Sequence, residues 1–273
     1  MTDLPLAARF TELGLIPHEE AAMRAFYTEV LGLVPVSDTE IPVGVNRRYA
    51  HAGITIKLLC LKKPPPAPVR GLSRAPGLRL LTLLGDAAWY EDRLARLAAA
   101  GIDTSRAVET EAARALFIRD PDGNAVELAT MKRPEEAGPA VQIGIAAHDP
   151  EAVARFYERF FGARYIGHFP YPDGHSNEKV DWGPVRLNIW GLPDSVAAPE
   201  PGERHSARAG IRYLTAAVPS VPEAVDRLAA DGVSVPMPTM EWRGIAHIAF
   251  IADPSGANTE LTSRLAAPTA ARA

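Results

Sequence analysis

The heptapeptide FYTEVLG at residues 26–32 occurs again as FYERFFG at residues 156–162, which is 130 residues further along the chain. Three other segments recur in the same order with similar offsets. They are GLRLLT at 77–82 and GIRYLT at 210–215, LAAAG at 97–101 and LAADG at 228–232, and DPDGNAVEL at 120–128 and DPSGANTEL at 253–261. Four landmarks in one order indicate that the chain of 273 residues contains two copies of one unit.

The apolar residues of each copy predict the same succession of elements. Around Phe26 and Phe156 they recur at helical spacing, and Gly32 and Gly162 follow at the position of a left-handed helix cap. A second helix in each copy ends at the repeated LAA-x-G segment, and strand-like segments precede and follow every helix. Each copy is therefore predicted to contain two βαβββ modules, which gives an α+β protein with four modules.

The boundary between the copies is expected in the polar, proline-containing stretch at residues 132–139. We therefore predict four consecutive parts. They are an N-terminal domain at 1–133, a linker at 134–139, a C-terminal domain at 140–265 and a tail at 266–273.

The composition excludes several classes of protein. The chain has 29 Lys and Arg against 33 Asp and Glu, a formal net charge of -4, which offers no basic surface to nucleic acid or to an anionic membrane. No apolar run approaches the roughly 20 residues of a membrane-spanning helix. The single cysteine, Cys60, forms no disulfide within the chain, so an oxidising compartment is not required. We expect a cytoplasmic monomer or homodimer whose partner is a small molecule.

The repeated motifs resemble the vicinal oxygen chelate (VOC) superfamily, which includes glyoxalase I, extradiol ring-cleaving dioxygenases and bleomycin-resistance proteins. The matching features are the FY…LG helix ends, the DP-D/S-G turns with the following E-L, and the LAA-x-G helix ends, over residues 8–131 and 140–264. The resemblance implies two tandem VOC domains whose paired modules form curved mixed sheets, or cups. In this superfamily a cup commonly holds a divalent metal to which substrate oxygens bind.

Position by position, the resemblance implies four metal-ligand candidates: Glu12, Glu127, Gln142 and Glu260. Their oxygens suit a divalent metal, for which Zn, Ni, Mn and Fe are the candidates. Two positions at which the family commonly has histidine carry Leu80 and Tyr213. Because neither copy shows two histidines and one carboxylate, an extradiol ring-cleaving dioxygenase is the least favoured reading.

Strand alternation indicates which side chains face a cavity. In the first strand of copy one, Glu12 and Gly14 share a face, and in copy two Gln142 and Gly144 do the same, with apolar residues opposite. The glycine beside each polar group is expected to leave room for a cavity.

The leading hypothesis places the working site in the C-terminal copy. There Gln142 and Glu260 would bind the metal, Tyr213 would act as a catalytic group, and His247 is a further acid–base candidate. The candidates for substrate binding lie on one alternating strand: Arg186, Asn188 and Trp190. The chemistry would be of lyase or isomerase type.

Two alternatives remain open from the sequence. Degenerate ligand positions also fit a metal-independent binding protein of the bleomycin-resistance type, which takes up an aromatic or drug-like molecule. In addition, modules can pair within a copy or across copies. Pairing across copies would place Glu12 near Tyr213 and Glu260.

Overall fold

The computed structural model describes residues 5–133, 135, 137–170, 176–200 and 202–265. The predicted tail at 266–273 therefore lies outside the described residues. The elements follow the predicted order of four modules, each with one strand, one helix and three further strands. The α+β fold class with four βαβββ modules is thereby confirmed.

The bounds of the elements are as follows. Module 1 contains β1 (Arg9–Ile16), α1 (Glu20–Ala25), β2 (Val34–Ile41), β3 (Gly44–His51) and β4 (Ile54–Leu61). Module 2 contains β5 (Gly77–Leu84), α2 (Ala87–Ala99), β6 (Val108–Glu109), β7 (Ala113–Arg119) and β8 (Ala125–Met131). Module 3 contains β9 (Val141–Ala147), α3 (Pro150–Phe161), β10 (Arg164–Pro170), β11 (Ser176–Trp182) and β12 (Val185–Gly191). Module 4 contains β13 (Gly210–Ala217), α4 (Val221–Ala230), β14 (Ser234–Trp242), β15 (Ala246–Ala252) and β16 (Asn258–Arg264).

Local sequence explains where the helices begin and end. The Asp149 carboxylate accepts a hydrogen bond of 2.9 Å from the Ala152 N–H at the start of α3. Gly162 ends the same helix with φ of 62°, in the left-handed region that glycine adopts without strain. Helix α1 continues as a π-helical turn over Phe26–Val30. Within the described residues, no helix combines the length and the apolar character that a membrane crossing requires.

The strands form two sheets of eight, and each sheet takes half of its strands from each copy. The first has the order β14-β15-β16-β13-β1-β4-β3-β2 and joins module 1 to module 4. The second has the order β10-β11-β12-β9-β5-β8-β7-β6 and joins module 2 to module 3. We call them the 1/4 sheet and the 2/3 sheet. Their central contacts are the antiparallel pairs of β1 with β13 and of β5 with β9, so modules pair across copies.

A common hydrophobic core connects the two sheets. Leu13 and Leu15 of β1 are fully buried in it, on the face opposite Glu12. Two tyrosine–aspartate hydrogen bonds connect a module of one sheet to a module of the other: Tyr27 donates to Asp120 (3.1 Å), and Tyr157 donates to Asp253 (3.0 Å). One face of each central strand packs in this core. The core therefore fixes the position of the other face, which carries the polar groups.

Candidate ligand-binding cup

A buried lysine lies at the floor of the 1/4 sheet. The Lys57 ammonium from β4 is 2.9 Å from a Glu12 carboxylate oxygen of β1 and 2.7 Å from a Glu260 carboxylate oxygen of β16. Lys57 is only 2% exposed. Arg48 from β3 donates a 2.8 Å hydrogen bond to the other Glu12 oxygen, and Thr215 from β13 donates one of 2.9 Å to Glu260. Five strands therefore contribute to one charged network.

The network holds Lys57 and Glu12 in their charged forms. Burial alone would lower the pKa of Lys57, but the Glu260 and Glu12 carboxylates outweigh it and raise this pKa above its ordinary value. Burial alone would raise the pKa of Glu12, yet Lys57 and Arg48 hold it below its ordinary value. At neutral pH the floor therefore contains fixed, mutually neutralised charges, and Lys57 does not release a proton readily.

Tyr213 closes one side of the floor. Its ring lies 4.8 Å from the Lys57 ammonium and covers Gly14, where an added Cβ would come within 2.3 Å of the ring. The space beside Glu12 that Gly14 leaves is therefore taken by this ring, and the cavity lies above it. Burial raises the pKa of Tyr213 well above its usual range, so its hydroxyl remains a neutral hydrogen-bond donor.

Tyr213 belongs to a cluster of three rings that forms one wall of the site. The His205 ring stacks on Phe250 with centroids 3.9 Å apart and an interplanar angle of 7°, and the Tyr213 ring meets both edge-on. Burial lowers the pKa of His205 to about 4, which leaves the imidazole neutral at pH 7. Its Nδ1 atom is buried without a hydrogen-bond partner among the described residues.

Above this floor is an open cavity of about 780 Å³. Its walls are mainly apolar, with residues from both copies: Ile41, Leu59, Met237, Trp242, Ile248 and Phe250. We call the cavity and its floor the 1/4 cup. Its size lies within the roughly 300–1,000 Å³ of sites that bind drug-sized molecules.

The corresponding polar groups of the 2/3 sheet are paired with one another. The Gln142 side-chain oxygen accepts a 2.8 Å hydrogen bond from Asn188, and Glu127 accepts one of 2.7 Å from Thr82. Burial raises the pKa of Glu127. The Trp190 ring and Leu80 lie over Gly144, where an added Cβ would come within 2.5 Å and 2.7 Å of them. Side chains thus fill the space beside Gly144, next to these polar groups.

The predicted grouping of Gln142 with Glu260 and Tyr213 is wrong. Gln142 lies on β9 of the 2/3 sheet, whereas Glu260 and Tyr213 lie on β16 and β13 of the 1/4 sheet. The reason is that β13 pairs with β1 and not with β9, which brings Glu12 to Glu260 and leaves Gln142 with Glu127.

The other predicted site residues are also separate from the 1/4 cup. Arg186, Asn188 and Trp190 lie on β12 of the 2/3 sheet, and Arg186 binds Asp181 at 2.7 Å. His247 lies on β15 of the 1/4 sheet, between two residues that line the cup, Ala246 and Ile248. Because strand side chains alternate, the His247 side chain is on the opposite face. The catalytic assignment of His247 therefore has no support in the geometry of the cup.

The sequence patterns did not identify three residues of the candidate site: Lys57, Arg48 and His205. Lys57 had a signal, because it is the one charged residue in the strand ITIKLLCL at Ile54–Leu61, and a charge on a buried strand requires a partner. His205 lies in a short turn, His205–Ala207, outside the repeated motifs. Arg48 resembles many exposed strand arginines, so its role became visible only from its contact with Glu12.

The family model of the Glyoxalase/Bleomycin resistance protein/Dioxygenase superfamily matches residues 12–128 and 140–261. The chain belongs to this superfamily. The two matches cover both copies of the repeat and include Glu12, Glu127, Gln142 and Glu260. The resemblance stated from the motifs is thereby confirmed.

Solved structures of this superfamily share the fold along nearly the whole chain. Glyoxalase I from Zea mays aligns with a TM-score of 0.74 and 17% identity, over 94% of this chain and 92% of that one. A putative dioxygenase from Bacillus subtilis aligns with a TM-score of 0.67 and 14% identity, over 95% and 86%. The curated proteins yield no significant match. At these identities the likeness establishes the tandem fold and no particular reaction.

The superfamily's metal does not fit the residues of the 1/4 cup. Lys57 already supplies a cation at hydrogen-bond distance from both candidate ligands, Glu12 and Glu260. A divalent metal between these carboxylates would lie against the ammonium, and repulsion between like charges in a buried site is strong. Among the described residues, no cluster of three or more His, Cys, Asp or Glu side chains is arranged to hold a metal.

Proposed function

We propose that this chain is a metal-independent small-molecule-binding protein whose working site is the 1/4 cup. The observation that carries the proposal is the Lys57 ammonium between Glu12 and Glu260, 2.9 Å and 2.7 Å from their oxygens. It supplies internally the positive charge that the carboxylates would otherwise draw from a metal. The open, mainly apolar cavity above it supports a role in ligand binding.

The walls and floor define the class of ligand. Apolar and aromatic walls favour an aromatic or otherwise largely apolar molecule. At the floor, two cations (Lys57 and Arg48) balance two carboxylates (Glu12 and Glu260). The four floor groups together have no net charge, so beside them an uncharged polar end such as a carbonyl or hydroxyl group is favoured, hydrogen-bonded to Tyr213. Lys62 and Lys63 also line the cup and add positive charge away from the floor.

The test is a thermal-shift screen of aromatic carbonyl and phenolic compounds on the full chain, with EDTA present. Binding compounds are expected to raise the Tm in a saturable manner, equally with and without EDTA. Ile248→Trp, which fills the cup from one wall, should abolish the shift. Ile245→Trp is the matched control, because Ile245 is exposed and does not line the cup, and it should bind as the wild type does.

Two results would contradict the proposal. One is a shift that requires an added divalent metal and disappears with EDTA. The other is unchanged binding in Ile248→Trp, which would place the ligand outside the 1/4 cup.

A second candidate is acid–base catalysis of lyase or isomerase type in the same cup without a metal. It would use His205 and Tyr213, which both line the cup with their rings 5.3 Å apart. A base and an acid exchange protons with a carbonyl compound most efficiently when their pKa values lie near neutral pH. Burial lowers the pKa of His205 to about 4 and raises that of Tyr213 above its usual range, so only slow exchange is expected. Deuterium uptake from D2O by a carbonyl compound from the screen, followed by NMR, tests it. Uptake should disappear in His205→Gln, and equal uptake in that variant would reject it.

A further inference from the structure

A second cavity of about 230 Å³ lies where β5 and β13 contact each other, between the two sheets. Both DP-D/S-G turns reach it through Gly123 and Gly256. Among the described residues, none lines both this junction cavity and the 1/4 cup. The cavity is therefore a separate feature, built at the place where the two copies meet.

The charged residues of the junction cavity are mostly arginines. Four guanidinium groups face two carboxylates, a net charge of +2. The residues are Arg74, Arg79, Arg208, Arg212, Glu200 and Glu203. Arg79 and Arg212 occupy the same position of the repeated segments GLRLLT and GIRYLT, so the pseudo-symmetry of the chain brings them to one cavity.

The two central arginines differ in their partners. Arg212 donates to the Glu203 carboxylate at 3.1 Å and to the backbone oxygen of His205 at 2.9 Å. Arg79 donates only to backbone oxygens, those of Val69 and Gly71, and its Nε atom is buried without a partner. Arg79 therefore has no carboxylate to neutralise it within the described part of the chain.

The environment of Arg79 makes its positive charge energetically unfavourable when no anion or other partner is nearby. Burial and the nearby Arg212 lower the pKa of Arg79 to about 10, which still leaves it charged at neutral pH. Neither Arg74 nor Arg208 forms an ion pair in the portion of the chain that the structure describes. Buried cations are normally paired with an anion or another hydrogen-bonding partner.

A buried amide adds a second unsatisfied group. Asn258 is 1% exposed, lines the junction cavity, and its Oδ1 atom has no hydrogen-bond partner among the described residues. The Oδ1 atom is itself buried, so it belongs to the cavity wall and is not open to the cavity space. An unpaired donor of Arg79 and an unpaired acceptor of Asn258 therefore lie in the wall of one small volume.

We propose that the junction cavity binds a small oxyanion, of the phosphate or carboxylate class, with Arg79 as its principal partner. The planar guanidinium offers paired N–H donors that match such oxygens. A cavity of about 230 Å³ has room for an anion of this size with a few waters, because liquid water takes roughly 30 Å³ per molecule. The anion neutralises the charge of Arg79, while the exposed Arg74 and Arg208 add positive charge at the rim of the cavity.

The test is isothermal titration of the full chain with inorganic phosphate and, in parallel, with succinate, at a constant ionic strength set by chloride. Saturable binding of at least one anion is expected, and the tighter one identifies the class. Arg79→Gln should weaken binding by about tenfold or more, the usual scale of a lost charge-assisted hydrogen bond. Arg208→Gln, at an exposed position on the cavity rim, should weaken it less.

Controls keep the outcome interpretable. Arg106→Gln removes an exposed arginine that does not line the cavity and should bind as the wild type does. If Arg79→Gln fails to fold, as judged by circular dichroism, Arg208→Gln carries the comparison. The proposal is overturned if the wild type binds neither anion saturably, or if the cavity variants bind as Arg106→Gln does.

Discussion

Lys57 joins two carboxylates that the sequence predicted as metal ligands, Glu12 and Glu260, into a closed ion network. Its ammonium is bonded to Glu12 and Glu260 from two different modules. A buried ion pair contributes little net stability against an apolar replacement of all its members, but removing one member leaves charge without compensation. The residue therefore affects both the folding of the 1/4 sheet and the chemistry that its cup offers.

Lys57→Met is expected to lower the free energy of unfolding by about 3–5 kcal/mol, because two carboxylates then remain buried together. Adding Glu260→Gln to the same chain should recover part of this loss, since only one carboxylate is left. Urea unfolding of the single and double variants measures both effects. A loss below about 1 kcal/mol for Lys57→Met, or no recovery in the double variant, would contradict the described network.

At the scale of elements, the first strand of each copy depends on a glycine that accepts an aromatic ring. Gly14 of β1 lies under Tyr213, and Gly144 of β9 lies under Trp190. Strand alternation predicts that these glycines leave room for a cavity. In each sheet a ring from a neighbouring strand uses that space, and the ring then shapes the surface beside the polar group.

Gly14→Ala is expected to lower the free energy of unfolding by about 1–3 kcal/mol, the scale of overpacking, because its Cβ would be 2.3 Å from the Tyr213 ring. Tyr213→Leu in the same chain should recover stability by removing the ring. Thermal unfolding provides the measurement. Gly191→Ala on β12 is the matched control, since no atom lies within 4 Å of its added Cβ, and an equal loss there would refute the explanation.

At the scale of the whole molecule, tyrosine–aspartate pairs connect the two sheets. Tyr27 of module 1 bonds to Asp120 of module 2, and Tyr157 of module 3 bonds to Asp253 of module 4. Burial raises the pKa of both aspartates to about 6. The repeated DP-D/S-G turns therefore act as inter-module contacts as well as turns.

These aspartates predict a pH dependence of stability. Because their pKa is higher in the folded protein than the roughly 3.9 of an unfolded chain, the folded state binds more protons between about pH 4 and pH 6. Their contribution is greatest below about pH 4 and is lost as the pH rises through about 6. Asp253→Asn should therefore reduce the difference in unfolding free energy between pH 5 and pH 7.

Urea unfolding at the two pH values measures this difference. Asp226→Asn replaces an exposed aspartate of α4 and should leave the pH dependence of the wild type intact. If Asp253→Asn and Asp226→Asn give the same dependence, the raised pKa of Asp253 is not its source.

The sequence predicted several individual residues of the 1/4 cup, but not which of them lie together. Strand alternation correctly placed Glu12 on the face opposite Leu13, because neighbouring strand residues point to opposite sides. Glu260 was expected near Glu12 only under one of the two open pairings, and Lys57 was not anticipated, since these residues are 248 and 45 residues from Glu12 along the chain. No local pattern specifies which of two similar first strands, β5 of the same copy or β13 of the other copy, pairs with β1.

The repeat, the order of elements, the helix ends and the polar faces of the strands follow from the sequence by itself, because each depends on residues close together along the chain. Tertiary structure alone decided that β1 pairs with β13 and β5 with β9. That pairing places Lys57 between Glu12 and Glu260 and separates both from Gln142. The physical reason is that strand pairing depends on the packing of distant surfaces in the shared core, to which both copies offer nearly the same pattern.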